Sequence, residues 1–261
     1  MRFGVCCSIT DIDKMEAMGF DYIEGNATAL SRMEESAFRT AADRINRAGI
    51  RPEVFNCLFP AERKVLIDPV RETDYLNAVL DRMTLLGGKL VVFGSGYARE
   101  RPADMEPAEA WARLVTLCRL VAGRAQAHGM EAVIEPLNRA ETSMVNTQEE
   151  ARQLAADVAH PAFGVLADFY HMQAVGDGAA EVAAGSRLLR HAHIAAPQSR
   201  ACPFDGDGVD YTPFFEGLAL AGYDNRISFE GAASDDEKLA ALLTFLRRNV
   251  NDSRRALRYE A

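Results

Sequence analysis

The chain has 261 residues, of which 48% are hydrophobic and 26% charged, and its formal net charge is −9. That length fits one (β/α)8 barrel or two small domains, and the composition is ordinary for a globular protein with a sizeable core. The acidic balance argues against binding to nucleic acid or to anionic membranes.

No stretch approaches 18 apolar residues, so no membrane-spanning segment is predicted, and the first apolar run is too short for a signal peptide. The five cysteines are an odd number without CxxC spacing. We expect reduced, mostly buried thiols in a cytoplasmic protein.

Short apolar runs alternate with longer helix-like segments along the whole chain. Strands are predicted at 2–7, 20–24, 51–56, 89–93, 130–134, 165–168, 191–193 and 227–230. Helices are predicted at 12–18, 31–48, 69–86, 107–128, 174–189 and 235–249, with two more beginning near 147 and 212. Eight successive units without a Gly-, Pro- or Ser-rich linker favour a single (β/α)8 TIM barrel. We assign residues 1–250 to the barrel and 251–261 to a charged tail that frays.

Three local signals refine these helices. Ser31 with Glu34, and Thr147 with Glu150, have the spacing of a capping box at a helix start. Gly129 follows the helix that begins at Pro107, where glycine adopts the left-handed conformation that ends helices.

Four predicted strands in the second half of the chain end in a side chain that can bind a metal. These residues are Glu135, Asp168, His193 and Glu230. In a barrel of parallel strands these ends share one rim, which is where chemistry occurs. A buried carboxylate is costly unless it is paired or bound to a cation, so a single strand end of this kind could also be a salt-bridged cap. Four together predict one divalent ion, and three carboxylates with one imidazole suit Mn, Mg or Co better than a structural zinc site.

The histidines near these strands are expected to have different roles. His191 and His193 are two residues apart on one strand and point to the same face. His193 is nearer the rim and is the better ligand, whereas His191 would support it from below. His171, three residues after Asp168, is expected to hydrogen-bond the substrate rather than the ion.

The segments EPLNRAE, ADFYHM, HAHIA and ISFE, in this order, resemble the xylose isomerase-like barrel superfamily. The likeness is strongest from 91 to 230 and is nearest to sugar isomerases and epimerases that include ketose 3-epimerases of the tagatose and psicose type. The resemblance implies one divalent ion, most often Mn, with Co, Mg or Zn as alternatives. It implies that Glu135, Asp168, His193 and Glu230 hold this ion and that Glu135 and Glu230 transfer the proton. The positions expected to contact the sugar are Asn138, Glu141, His171 and Arg200, and the family habit is a homodimer or homotetramer.

One segment departs from the pattern of the 3-epimerases. Those enzymes commonly carry an Arg six residues after the seventh-strand His, whereas this chain has Ser199 there and Arg200 one position later. Hydroxypyruvate isomerases have a loop of similar character, so the substrate cannot be carried over. The net charge favours an unphosphorylated sugar, although Arg99 and Arg200 could each bind a phosphate or carboxylate. The Gly94-Ser95-Gly96 segment before Arg99 is also what a tight strand-to-helix turn would use.

The predicted function is therefore a divalent-metal-dependent isomerase or epimerase that moves a proton through an enediolate on a ketose or ketose phosphate, with 3-epimerisation favoured. The alternatives are a hydroxypyruvate-isomerase-like enzyme, a 3-keto-glycoside lyase with the same metal site, and a non-catalytic sugar-binding barrel. An apurinic-site endonuclease shares the fold, but its three-metal site uses about five histidines and DNA binding needs positive charge.

Overall fold

A computed structural model describes residues 1–232 and 235–260 and confirms the predicted fold class. Eight parallel strands pair in chain order, and the eighth pairs with the first to close a TIM barrel. The strands are β1 (Arg2–Cys6), β2 (Tyr22–Asn26), β3 (Pro52–Asn56), β4 (Leu90–Phe93), β5 (Glu131–Ile134), β6 (Phe163–Asp168), β7 (Leu189–Ile194) and β8 (Arg226–Phe229).

Ten α-helices are formed by these described residues, mostly on the outside of the barrel. They are α1 (Ile12–Ala17), α2 (Ala27–Ser31), α3 (Glu35–Arg47), α4 (Thr73–Leu86), α5 (Pro107–Ala127), α6 (Gln148–Val158), α7 (Phe169–Val175), α8 (Ala179–Gly185), α9 (Thr212–Leu220) and α10 (Asp236–Glu260). Short 3-10 helices occur at Ile9–Asp11, Ala61–Arg63, Pro69–Glu72 and Ser186–Leu188.

The strands are apolar along most of their length because both of their faces are covered. One large cluster of buried side chains lies between the sheet and the helices. A separate cluster of six lies on the other face of the strands: Tyr22, Val54, Leu90, Val92, Val133 and Leu166. Since Tyr22 and Glu24 are two apart on β2, Glu24 points to the same interior face above this second cluster.

Two of the three predicted helix signals are confirmed. Thr147 and Glu150 form a full capping box at the start of α6, and Gly129 has φ +71° just after α5. The predicted box at Ser31 is wrong, because Ser31 is the last residue of α2. Asn26, at the end of β2, begins α2 early by accepting a hydrogen bond from the backbone N–H of Ala29 at 2.8 Å.

The helix predicted at 174–189 is only partly correct, since α8 and a 3-10 helix lie within it but its first residues belong to α7. Asp168 accepts a hydrogen bond from the backbone N–H of Tyr170 at 3.0 Å, so α7 starts directly after β6. It ends at Gly176, which has φ +82°, and α8 follows as a separate helix. This early start places His171 at the rim of the barrel instead of in a connecting loop.

The last helix is longer than predicted. It does not end near 249 but continues to Glu260, so the described part of the predicted tail is helical. Ser253 is buried and Arg254 donates to Asp224 Oδ1 at 2.5 Å, which ties these extra turns to the loop before β8. Ala261 lies outside the described residues.

Two further expectations concern cysteines and membranes. No disulfide joins the cysteines of the described chain. As whole residues, Cys118 and Cys202 are buried, Cys6 and Cys7 are partly exposed and Cys57 is exposed, so fewer cysteines are fully buried than expected. Among the described helices, none has the length and apolar character that crossing a bilayer requires.

Candidate active site

The four predicted metal ligands meet at the carboxyl end of the barrel. Glu135 and Glu230 directly follow β5 and β8, Asp168 is the last residue of β6, and His193 lies near the end of β7. Each offers one ligand atom, and these atoms all lie within 4.8 Å of one another. His193 Nδ1 is 3.0 Å from Glu135 Oε1 and 3.6 Å from Glu230 Oε2. The structure therefore brings together residues that are up to 95 positions apart in the chain.

The chemistry of this set fits a divalent cation. Oδ2 of Asp168 is buried and has no hydrogen-bond partner, and His171 Nε2 lies 3.5 Å from it. Burial, with the nearby Glu135 carboxylate, raises the pKa of Asp168 to about 8. Three carboxylates that lie this close together and are shielded from solvent repel one another unless they share a cation. Oxygen donors with a single imidazole are a suitable set for Mn²⁺ or Mg²⁺.

Glu24 is a member of the site that the sequence analysis missed. Its Oε1 lies 2.9 Å from His193 Nε2, and its Oε2 lies 2.8 Å from His191 Nε2. Burial alone would raise the pKa of Glu24, but His193 and His191 together hold it below its ordinary value. Because Nε2 of His193 is held by Glu24, its Nδ1 is left to face the carboxylate cluster, which is the usual carboxylate–histidine–metal arrangement. The sequence contains a signal for this role, since Glu24 is an acidic residue at the end of the predicted strand 20–24.

The two acids expected to transfer the proton lie in different surroundings. Glu230 Oε1 accepts from Asn56 Nδ2 at 3.0 Å, and its Oε2 accepts from Arg200 Nη2 at 2.9 Å. Burial acts to raise the pKa of Glu230, but His193 and Arg200 lower it overall. Burial and the Glu230 charge raise the pKa of Glu135. Such a pair of carboxyl groups, with pKa values pushed apart, is typical of acid–base sites.

Gly94 provides the space that Glu135 occupies. A Cβ atom placed on Gly94 would lie 2.0 Å from Glu135 Oε2, which is far inside van der Waals contact. The Gly94-Ser95-Gly96 segment thus allows close packing, since Gly96 similarly approaches the backbone oxygen of Glu141.

His171 lies beside the cluster with one ring nitrogen directed toward it. Its Nδ1 accepts a hydrogen bond from the backbone N–H of Asn138 at 3.0 Å. Burial and the nearby Arg200 lower the pKa of His171 to about 3, so the ring is neutral and its proton is on Nε2. Asn138 also donates to Glu141 Oε1 at 3.0 Å, so Asn138 helps to hold both His171 and Glu141 in position.

Arg99 does not reach the substrate region, so the idea that it binds a phosphate or carboxylate is wrong. Its side chain is completely buried, and its guanidinium donates to the backbone oxygens of Phe93 at 2.8 Å, Glu135 at 2.7 Å and Met144 at 3.2 Å. Phe93 ends β4, Glu135 directly follows β5 and Met144 lies in the loop between β5 and α6, so Arg99 fixes the backbone around Glu135.

Two cavities open from the cluster. The smaller cavity, about 410 Å³, lies toward the loops after β3, β4 and β5, and its lining includes Glu135, Glu141 and His171. The larger cavity, about 830 Å³, lies toward the loops after β1 and β2. Both cavities are lined by Asn26, Cys57, Arg200 and Glu230.

A second group of metal-binding atoms is formed by Cys6, Glu24 and His193. Both oxygens of Glu24 are already engaged by imidazole nitrogens, and burial, with Glu24, raises the pKa of the Cys6 thiol well above its ordinary value. A protonated thiol is a poor ligand, so the four-residue cluster is the better cation site.

Comparison with known proteins points to the same superfamily. A model of the xylose isomerase-like TIM barrel family matches residues 12–249. The ketose 3-epimerase of Arthrobacter globiformis is 32% identical over 115 residues, which are 44% of this chain but only 39% of that protein. The L-ribulose 3-epimerase of Methylomonas sp. is 28% identical over 245 residues, covering 90% of this chain and 82% of the other. The D-psicose 3-epimerase structure from Clostridium cellulolyticum has a TM-score of 0.80 at 21% identity, over 96% of this chain and 99% of that one, and shows likeness of fold.

Proposed function

Because the chain belongs to the xylose isomerase-like TIM barrel family, we propose that it is a divalent-metal-dependent sugar epimerase or isomerase. The favoured reaction is inversion at the carbon next to the carbonyl of a ketose. The observation that carries the proposal is the convergence of Glu135, Asp168, His193 and Glu230 within 4.8 Å at the active end of the barrel. Two relatives with the name of a ketose or ribulose 3-epimerase support the choice of reaction.

A divalent ion, Mn²⁺ in our proposal, would be held by these four residues and would stabilise the negative charge that develops on the carbonyl and neighbouring hydroxyl oxygens. Glu135 and Glu230 come from strands three apart in the barrel. One carboxylate removes the proton from one face of the carbon, and the other carboxyl group returns a proton from the opposite face, which inverts the centre.

The neighbouring side chains bind and orient the sugar. His171 lines the smaller cavity with a ring that Asn138 fixes, and its Nε2 has no hydrogen-bond partner. Glu141 and Arg200 line the same cavity and can accept from and donate to sugar hydroxyls. Asn56 and Arg200 hold both oxygens of Glu230 in place, which keeps this acid aligned during proton transfer.

The test is incubation of the Mn²⁺-loaded protein with unphosphorylated and phosphorylated ketoses in D₂O, followed by NMR. Deuterium at C3 with inversion supports epimerisation. Deuterium at C2 of a newly formed aldose, or at C1 of the recovered ketose, would replace it with aldose–ketose isomerisation. A 3-keto-glycoside is included in the same assay, where release of its substituent would indicate a lyase, and no exchange into any of these sugars would favour a binding role.

A further inference from the structure

The division of the active-site mouth into two cavities bears on the substrate. Glu135, Glu141 and His171 line the smaller cavity but not the larger one. The reacting end of the sugar therefore belongs in the smaller cavity. Its volume of about 410 Å³ lies within the range of roughly 300–1,000 Å³ that is usual for small-ligand sites. The larger cavity shares Glu230 with the smaller one but contains neither Glu135 nor His171, so it can hold a part of the substrate that does not react.

The larger cavity begins at the same acid and extends away from the chemistry. Glu230 and Arg200 line its floor together with Glu24. Above them the loops after β1 and β2, with residues 198–199 on the opposite side, contribute uncharged groups. The apolar contributors include Ile9, Leu30 and Met33, and the polar ones include Ser8, Asn26 and Gln198. Walls of mixed apolar and hydrogen-bonding character suit the faces and edges of a sugar ring or a similar uncharged group.

A phosphate is not what this cavity is built to hold. Arg200 is the only cation among the described residues that line it. The guanidinium of Arg200 is held by Glu230 at 2.9 Å and Glu141 at 3.7 Å, and it lies over the Tyr170 ring at 4.3 Å from the centroid. Since this charge is already compensated by two carboxylates, a dianion placed here would meet net negative charge.

We propose that the substrate is an uncharged keto-sugar that carries a second sugar ring or an uncharged aglycone, and that this substituent occupies the larger cavity. The inference rests on the proposed function and specifies its substrate class. Contacts to a non-reacting part of the substrate supply binding energy that can be used to orient the reacting carbon, so they raise kcat/KM as well as affinity.

The test uses ketoses that differ only in the substituent. Fructose, fructose 6-phosphate, isomaltulose (a glucosyl group on O6 of fructose) and lactulose (a galactosyl group on O4) are compared by the rate of proton exchange in D₂O. We expect kcat/KM for at least one disaccharide to exceed that for fructose by about tenfold or more, and fructose 6-phosphate to fall below fructose.

A variant that fills the cavity makes the test specific. Ala29 lines the larger cavity and is exposed, so Ala29→Trp adds bulk there without displacing the core. It should remove the advantage of the disaccharide over fructose, and Met33→Trp provides a second variant at the same wall. Leu85→Trp, on the exposed side of α4, is the matched control that should keep the advantage.

The possible results separate the two ideas. If fructose exchanges at least as fast as both disaccharides, or if Ala29→Trp and Met33→Trp fold normally and keep the disaccharide advantage, the cavity proposal is wrong while the epimerase proposal stands. If none of the four sugars exchanges, the proposed function fails on these substrates and the inference fails with it.

Discussion

Glu24 and His193 are joined by a buried contact of 2.9 Å between Oε1 and Nε2. This contact determines which ring nitrogen of His193 faces the carboxylate cluster. The second oxygen of Glu24 makes an equivalent contact with His191 at 2.8 Å, so one carboxylate serves two imidazoles at once. An amide in its place has only one acceptor oxygen and cannot accept a hydrogen bond from both imidazoles.

Glu24→Gln is therefore expected to weaken metal binding without unfolding the protein. Loss of a partner that orients a metal-binding histidine typically costs about 10- to 100-fold in affinity. Calorimetric titration of Mn²⁺ into metal-free protein measures the affinity, and ¹⁵N chemical shifts of the His193 ring in the metal-free protein report its tautomer.

Removing the competing imidazole should reverse part of this loss. In Glu24→Gln/His191→Phe the single acceptor oxygen is available to His193 alone, so affinity should recover relative to Glu24→Gln. His191→Phe by itself is the control for changes in packing. A double variant that binds Mn²⁺ no better than Glu24→Gln would show that His193 is oriented by something else.

Glu135→Gln and Glu230→Gln are each expected to lower proton exchange by about 10²–10⁴-fold, because an amide cannot accept or return the proton. Metal content should fall only in part, since three ligands remain. Deuterium incorporation and elemental analysis are measured on the same samples, with the exposed Glu149→Gln on α6 as the control. Exchange at the unaltered rate in either variant would exclude that residue as an acid or base.

Gly94→Ala should damage the site more than the fold. The added methyl group would lie 2.0 Å from Glu135 Oε2, so the carboxylate must move and both metal affinity and exchange should fall at least about tenfold. Gly123→Ala in the middle of α5 is the matched control, because nothing lies within 4 Å of its Cβ position. That variant should be neutral or more stable by about 0.5–1 kcal/mol.

Arg99→Met is expected to lower the free energy of unfolding by roughly 2–4 kcal/mol, because buried carbonyls lose their donors. Chemical denaturation measures this change, and Arg39→Met, at an exposed pair on α3, should change it little. If Arg99 held a substrate anion instead, KM would rise and stability would not change.

Removal of the metal is expected to lower the melting temperature. A ligand that binds only the folded state adds about 2.7 kcal/mol when its free concentration is a hundred times its Kd. Chelation followed by addition of Mn²⁺, monitored by calorimetry, should lower and then restore the transition. The shift should be much smaller in Asp168→Asn, since the oxygen without a hydrogen-bond partner is then lost.

The barrel and the four-residue cluster could be predicted because each rests on a local pattern repeated along the chain. Glu135, Asp168, His193 and Glu230 each follow or end a short apolar run, and parallel strands bring such positions to one rim. Glu24 and Asn56 carry the same signal in the first half of the chain. Neither residue is followed by the proline that sets Glu135 apart, so the pattern is weaker there.

Other features depend on tertiary contacts that sequence patterns do not encode. Arg99 follows a glycine-rich segment, which is also typical of anion sites, and only the fold shows that its guanidinium is enclosed by carbonyl oxygens. The start of α7 depends on Asp168, which is a candidate metal ligand and whose side chain also caps that helix. The length of α10 depends on the pairing of Arg254 with Asp224, 30 residues earlier in the chain.

The two halves of the barrel contribute differently to the mouth of the site. The cluster side chains come from β5 to β8, whereas the upper wall of the larger cavity is built mainly by the loops after β1 and β2. Substitutions in the loops after β1 and β2 can therefore change which compounds bind, while the residues from β5 to β8 keep the same reaction. Among related proteins that act on different compounds, we expect amino-acid substitutions near Ser8, Ala29 and Met33 more often than at the four cluster positions.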